Sequence, residues 1–205
     1  MTTDLPWLAP KLGDVPSLSL SQRLLTFIAG YTAAGDLDGL EQAWNALAPE
    51  HYGEGIEAIL QTHLFAGYPR AINAMTTVRK LGADQPGEYH EGPDEDVLEW
   101  ETSGTALCGE IYGSNYPKLR EKMGTIHPDL DKWMLQTGYG RVLSRPGLAP
   151  RLRELCVIAV LTGQNVTPQL FSHLRGAVNV GASVAECESV LKQTEDIWGA
   201  EAQAQ

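Results

Sequence analysis

Residues 141–191, RVLSRPGLAPRLRELCVIAVLTGQNVTPQLFSHLRGAVNVGASVAECESVL, restrict the fold more than any other stretch, because their helix start and stop signals are dense and mutually consistent. Pro150 suits the first turn of a helix that carries Leu152, Leu155, Cys156 and Ala159 at i, i+3, i+4 and i+7. Val157, Ile158, Val160 and Leu161 fill its other sides, and a helix apolar nearly all round is a buried one. Gly163 and Asn165 end it. Thr167 is the expected N-cap of a second helix with Pro168 at N1, which runs to Val180 with Gly181 as its C′ residue. Ser183 and Glu186 then form an S-x-x-E capping box for a third.

Two ionisable residues occupy positions where this pattern asks for apolar ones. Glu154 shares a face with Val157, Ile158 and Leu161; His173 shares one with Leu170, Gly176, Ala177 and Val180. In an antiparallel hairpin Glu154 lies about 9 residues before the turn and His173 about 5 after it, so at ~1.5 Å per residue their axial offset is roughly 6 Å. Two long side chains leaning together close that gap. A carboxylate beside an imidazole in an apolar site fixes which ring nitrogen faces a ligand, the wiring of a general acid or base. The same spacing also suits a structural pair in which each group satisfies the other. Gly176 and Ala177 leave room for close helix packing or for a small molecule.

Charge and cysteine content narrow the remaining classes. Fifteen basic against 26 acidic residues give a net charge of −11, with no basic run to follow a phosphate backbone, which argues against a nucleic-acid partner. No apolar run reaches the ~18 residues of a membrane span, and MTTDLPWLAPKLGD has neither a basic n-region nor an apolar h-region, so the expectation is a cytoplasmic protein. Cys108, Cys156 and Cys187 show no CxxC spacing, which indicates neither a disulfide framework nor a zinc knuckle; each falls on the apolar side of an expected helix. No metal or other cofactor is expected.

Along the chain, residues 1–18 read as an extended arm with Pro6, Pro10 and Pro16. Ser19 and Gln22 make a capping box for a helix to about Ala34, stopped by Gly35, and Asp36 caps the next, to about Ala48. A helix over 54–66 bears His63, read as packed or surface-lying, and Gly67-Tyr68-Pro69 leads into another that ends before Gly82. The acidic ADQPGEYHEGPDE then reads as a linker. Beyond it lie a helix with Val97, Trp100, Gly104, Leu107 and Ile111 on one side, a shorter one around 117–123, and one opened by His127-Pro128 that bears Leu130, Trp133 and Met134 and reaches about Val142. His127 reads as a cap. The loop SRPGLAP brings Arg145 to the start of the central helix, where its planar fork could bind a carboxylate or simply face solvent. Nothing alternates with period two for long, so the expected class is all-α.

An offset of 130 residues pairs Arg23 with Arg153, Leu25 with Leu155, Ile28 with Ile158, Ala29 with Ala159 and Leu40 with Leu170; at 131, Glu57 meets Glu188 and Leu60 meets Leu191. The order helix, turn, helix, helix is the same on both sides, as in a degenerate duplication. The partner of Glu154 is Leu24 and that of His173 is Ala43. The expected organisation is an arm and degenerate helical unit over 1–82, an acidic linker over 83–96, and a unit carrying the polar pair over 97–205, together in one globule.

R153-E154-L155 with its apolar helix, the SHLRGAVNVGAS run to Glu186, HPDL at 127–130 and YGRVLSRPGL at 139–148 resemble the carboxymuconolactone decarboxylase family, which includes the alkylhydroperoxidase D-like proteins. LQTHLFAGYPRAINAM at 60–75 is similar to the segment closing that family's helical unit, so the resemblance implies two units in tandem. It further implies an all-helical fold, a trimer or hexamer, and a site around a helical hairpin. In the peroxidase branch that site has a Glu, a Cys-x-His-Cys segment and a later His. Glu154 and His173 match the first and last, but Val166, Thr167, Pro168 and Gln169 stand at the thiol segment. A dithiol peroxide cycle at that place is therefore excluded. What the resemblance leaves is the cofactor-free decarboxylase branch, in which Glu154 orients His173, His173 moves a proton, and Arg145 or Tyr139 binds the carboxylate or carbonyl of a small acidic metabolite. Two other readings stand beside it: an antioxidant protein using Cys156, and a non-catalytic helical oligomer.

Overall fold

The computed structural model describes residues 17–82 and 96–199. Most of the expected arm and nearly all of the expected linker lie outside these residues. The elements are α1 (Leu20–Ala34), α2 (Leu37–Ala46), α3 (Tyr52–Ala66), α4 (Tyr68–Lys80), α5 (Val97–Tyr112), α6 (Tyr116–Ile126), α7 (Pro128–Trp133), a π-helix (Met134–Leu143), α8 (Pro150–Leu161), α9 (Thr167–Asn179) and α10 (Val184–Trp198), with short 3-10 turns at Pro49–His51 and Gly113–Asn115. The fold is all-α, and no strand occurs among the described residues.

Local chemistry sets most boundaries. Ser19 with Gln22 and Ser183 with Glu186 both form complete capping boxes, and Asp36 accepts from the Gly39 amide at 2.9 Å. Gly35 takes the left-handed conformation, φ 74°, that closes α1. His127 does cap α7, its Nδ1 accepting from the Asp129 amide at 3.1 Å. The start of α9 differs by one position: Thr167 is already helical, and Val166 precedes it without a side-chain cap, so Pro168 alone sets that turn.

α1 and α8 lie side by side at the centre, buried along almost their whole lengths. α2 and α3 pack on α1, and α9 contacts α8; the crossing is reciprocal, α3 reaching α8 and α10 reaching α1. One apolar core therefore draws on both halves of the chain, with Leu25, Ile28, Ile59, Leu155 and Ile158 wholly excluded from solvent. Each such side chain contributes about 1.5–3 kcal/mol. A charged network crosses the same boundary. The Arg153 guanidinium, 2% exposed, donates from Nη2 to Glu57 Oε2 at 2.9 Å, from Nη1 to Gln61 Oε1 at 3.1 Å and from Nε to the Leu148 carbonyl at 3.1 Å.

The expected continuous helix to Val142 is instead the short α7 followed by the π-helix. The Ser144 amide bonds the Tyr139 carbonyl at 2.9 Å, a five-residue step. The cause is visible in two glycines. A Cβ on Gly104 of α5 would lie 2.0 Å from the Leu135 carbonyl oxygen, and one on Gly140 would lie 2.0 Å from that of Trp100. The two backbones touch there, and the widened turn accommodates the approach. A second, smaller apolar cluster, including Cys108, Ile111, Leu135 and Tyr139, forms along this seam.

Candidate active site

α8 and α9 form the expected hairpin, and it joins the two out-of-pattern residues. His173 Nδ1 lies 2.8 Å from Glu154 Oε2; the carboxylate residue is 1% exposed and the imidazole residue 7%. Gly176 exists for this contact. A Cβ there would stand 2.8 Å from Glu154 Oε2 and 2.6 Å from Ile111 Cγ2, so the small residue serves packing of the carboxylate and α5 rather than ligand space. Phe65 of α3 meets the imidazole edge-on, with centroids 5.5 Å apart at 86°, and blocks rotation of the ring. With Nδ1–H donated to the carboxylate, Nε2 is left as the nitrogen able to exchange a proton; no described residue bonds it.

His173 lines a cavity of about 510 Å³. Its wall is assembled from α3, α5, α6, α7, the π-helix and α9, with Leu64, Phe65, Leu119, Met123, Met134 and Leu143 among its apolar members. Glu154 stands behind His173, outside the wall. Tyr139, on the π-helix, is in the wall, 5% exposed. Its hydroxyl donates to that of Tyr112 at 3.3 Å, the rings crossing at 81° with centroids 6.2 Å apart. Burial pushes both phenols above their ordinary range, so both remain protonated donors; Tyr112, receiving from Tyr139, has its own proton to offer into the cavity.

Arg145 stands elsewhere. Its guanidinium grips Glu57, Nε at 3.0 Å from Oε2 and Nη2 at 2.9 Å from Oε1, and it belongs to a separate surface hollow with Ser144 and Pro146. A buried acid with two hydrogen-bonding oxygens competes for the same planar fork that a ligand carboxylate would need. Cys156 is wholly buried and burial pushes its thiol up to about 12; Cys108, behind the cavity wall, is likewise pushed up to about 12. Among the described residues no group of three or more His, Cys, Asp and Glu is placed to hold a metal ion. Sequence reasoning missed Tyr112, Phe65 and Lys122, all in the wall. Tyr112 ends α5 with no periodic signal, and Phe65 comes from the half that carries no polar pair.

The comparisons with known proteins follow the same geography. The profile of the Carboxymuconolactone decarboxylase family matches residues 128–205, which contain α7 to α10 and therefore Tyr139, Glu154 and His173. Peroxisomal protein 2 of Schizosaccharomyces pombe is 30% identical over 164 residues, covering 76% of each chain. Peroxisomal protein 2 of Saccharomyces cerevisiae is 28% identical over 160 residues, covering 65% of this chain and 56% of that protein. The 4-carboxymuconolactone decarboxylase of Acinetobacter baylyi is 28% identical over 89 residues, covering 43% of this chain and 66% of the decarboxylase. The chain belongs to the carboxymuconolactone decarboxylase family.

Proposed function

We propose that this protein is a cofactor-free acid/base lyase or isomerase acting on a carboxylated metabolite at the His173 cavity. The observation that carries the reading is the imidazole held by a buried carboxylate through Nδ1 while the residue itself lines a cavity. In the lyase form, the bond between a carboxylate carbon and a carbon conjugated to a carbonyl breaks. CO₂ leaves and the electron pair passes into the carbonyl oxygen. The Tyr112 hydroxyl, backed by Tyr139, donates to that oxygen as charge develops, and protonated Nε2 of His173 delivers a proton to the carbon. Solvent restores the proton, so one carboxylate and one proton give one CO₂ and one C–H product. Glu154 orients the ring and balances its charge.

Incubating β-keto and β,γ-unsaturated carboxylic acids with the protein in D₂O, read by mass spectrometry for CO₂ loss and carbon-bound deuterium, tests this. Turnover by the wild type that His173→Ala lowers ~10²–10⁴-fold supports it; turnover untouched by that substitution refutes it. The thiol reading has no such support, because the Cys156 thiol is sealed from solvent. The family resemblance carries the expectation of a homo-oligomer, a trimer or hexamer, which light scattering measures. No helix of the described residues is long and apolar enough to cross a membrane. The peroxisomal names of the two yeast relatives set a peroxisomal location against the cytoplasmic one expected from sequence; imaging a fluorescent fusion distinguishes them.

A further inference from the structure

We infer that the His173 cavity takes an amphiphilic mono-anion, a carboxylic acid with an extended apolar body, with Lys122 at the rim reading its charge. This rests on the cavity being the functional site, and it names the class of ligand that site selects. The wall contains no Asp, Glu or Arg, and Lys122 is its one lysine. The remaining polar groups are few: Thr137, Gln169, Ser172, His173 and the two phenols. Half of the wall residues are Leu, Met, Phe, Ile or Trp. A compact dianion would leave its second carboxylate without a lysine or arginine and largely against those side chains, which desolvation opposes. An apolar body, by contrast, gains affinity with each methylene placed against them.

The rim points the same way. Ile126, Leu130 and Trp133, at the end of α6 and along α7, are wall residues yet stand 58%, 45% and 56% exposed. They extend the apolar track outward from the imidazole, past Lys122. The family-matched region supplies no lysine or arginine to this wall: Arg141 lies over the Trp100 ring at 4.8 Å and Arg175 over the Phe171 ring at 4.4 Å, neither lining the cavity.

The test is equilibrium binding of hexanoate, octanoate, decanoate and glutarate to the full chain by calorimetry. Kd should fall about fourfold per added methylene, with glutarate weaker than hexanoate. Lys122→Met should weaken decanoate about threefold and leave decanol unchanged. Gly138→Phe is the blocking variant: Gly138 lines the cavity and a Cβ there meets only the Trp133 carbonyl oxygen, at 4.0 Å, so the side chain starts without a clash on the wall of the site it is meant to occupy. Loss of decanoate binding in that folded variant supports the inference. Affinity that ignores chain length, glutarate binding as tightly as decanoate, no binding by any probe, or decanoate binding that survives Gly138→Phe each overturns it. Turnover is not part of the readout. Chain-length-dependent binding with no CO₂ loss from the keto or unsaturated acids therefore sinks the catalytic reading alone, and CO₂ loss without chain-length dependence sinks this inference alone.

Discussion

The hairpin α1–α2 and the hairpin α8–α9 follow the same order of elements, and the residues aligned at an offset of 130 differ where the second carries its polar pair. In the first, the positions matching the dyad are Leu24 and Ala43, 1% and 0% exposed; in the second they are Glu154 and His173. Both central helices are buried and both are followed by a helix that crosses to the other half. The first hairpin is packed with apolar side chains at these positions, whereas the polar pair of the second occurs where a cavity adjoins it. Burying such a pair in place of well-packed hydrophobes commonly costs stability, which fits a residue pair retained for chemistry.

The sharpest way to break the contrast is to make the second hairpin like the first. Glu154→Leu with His173→Ala should abolish turnover, a loss of ~10²–10⁴-fold, while stability falls less than in His173→Ala alone, because no buried carboxylate is left unpaired. Calorimetry on the double variant against His173→Ala alone checks it, since the single change strands a buried carboxylate and should be the less stable protein. Next in size is Arg153→Met, which removes one of the two guanidinium groups on Glu57. Urea titration should show a loss of about 3 kcal/mol, at the low end for a broken buried pair because Arg145 remains. Gly176→Ala should cost about 1–3 kcal/mol by crowding Ile111 and the Glu154 carboxylate, and should lower turnover through a displaced imidazole.

Smaller effects are expected at the rim and at the thiol. Arg120 holds the Asp131 carboxyl below its ordinary range through bonds of 2.7 and 2.8 Å. A depressed folded-state value means that this tie is intact above the usual carboxylate range and is lost as pH falls through the depressed one. Asp131→Asn should thus cost about 0.5 kcal/mol at pH 7 and nothing once the wild-type acid is protonated, as melting curves across that window will show. Least of all, Cys156→Thr should be nearly silent in stability and turnover. Its counterpart is Thr26, equally buried, whose hydroxyl bonds the Arg23 carbonyl at 2.8 Å. Native Cys156 should also resist iodoacetamide at neutral pH.

How much of this was legible in the chain depends on whether a feature is local. The capping boxes, Gly35, Asp36 and the cap at His127 are decided within four residues, and they stand where the sequence puts them. The Glu154–His173 contact was legible because two helices and a short turn leave one register. The π-helix was not, since it arises from contact between Gly104 and Gly140, 36 positions apart, rather than from any periodicity of its own. The surroundings of Arg145 were not legible for a related reason: its partner Glu57 lies 88 residues upstream, on a helix whose own pattern gives no sign of an inward acid. Tyr112 and Lys122 acquire meaning only once α5 and α6 close over the hairpin.

Glu57 also ties the fate of one half of the polypeptide to the other. A single acid on α3 pairs with two bases that lie beyond residue 96, so a protease cut between residues 82 and 96 followed by separation would leave Glu57 and both arginines without their partners beside an exposed oily surface. Neither piece should survive alone in solution, and mixing them should restore the whole, as in an obligate heterodimer.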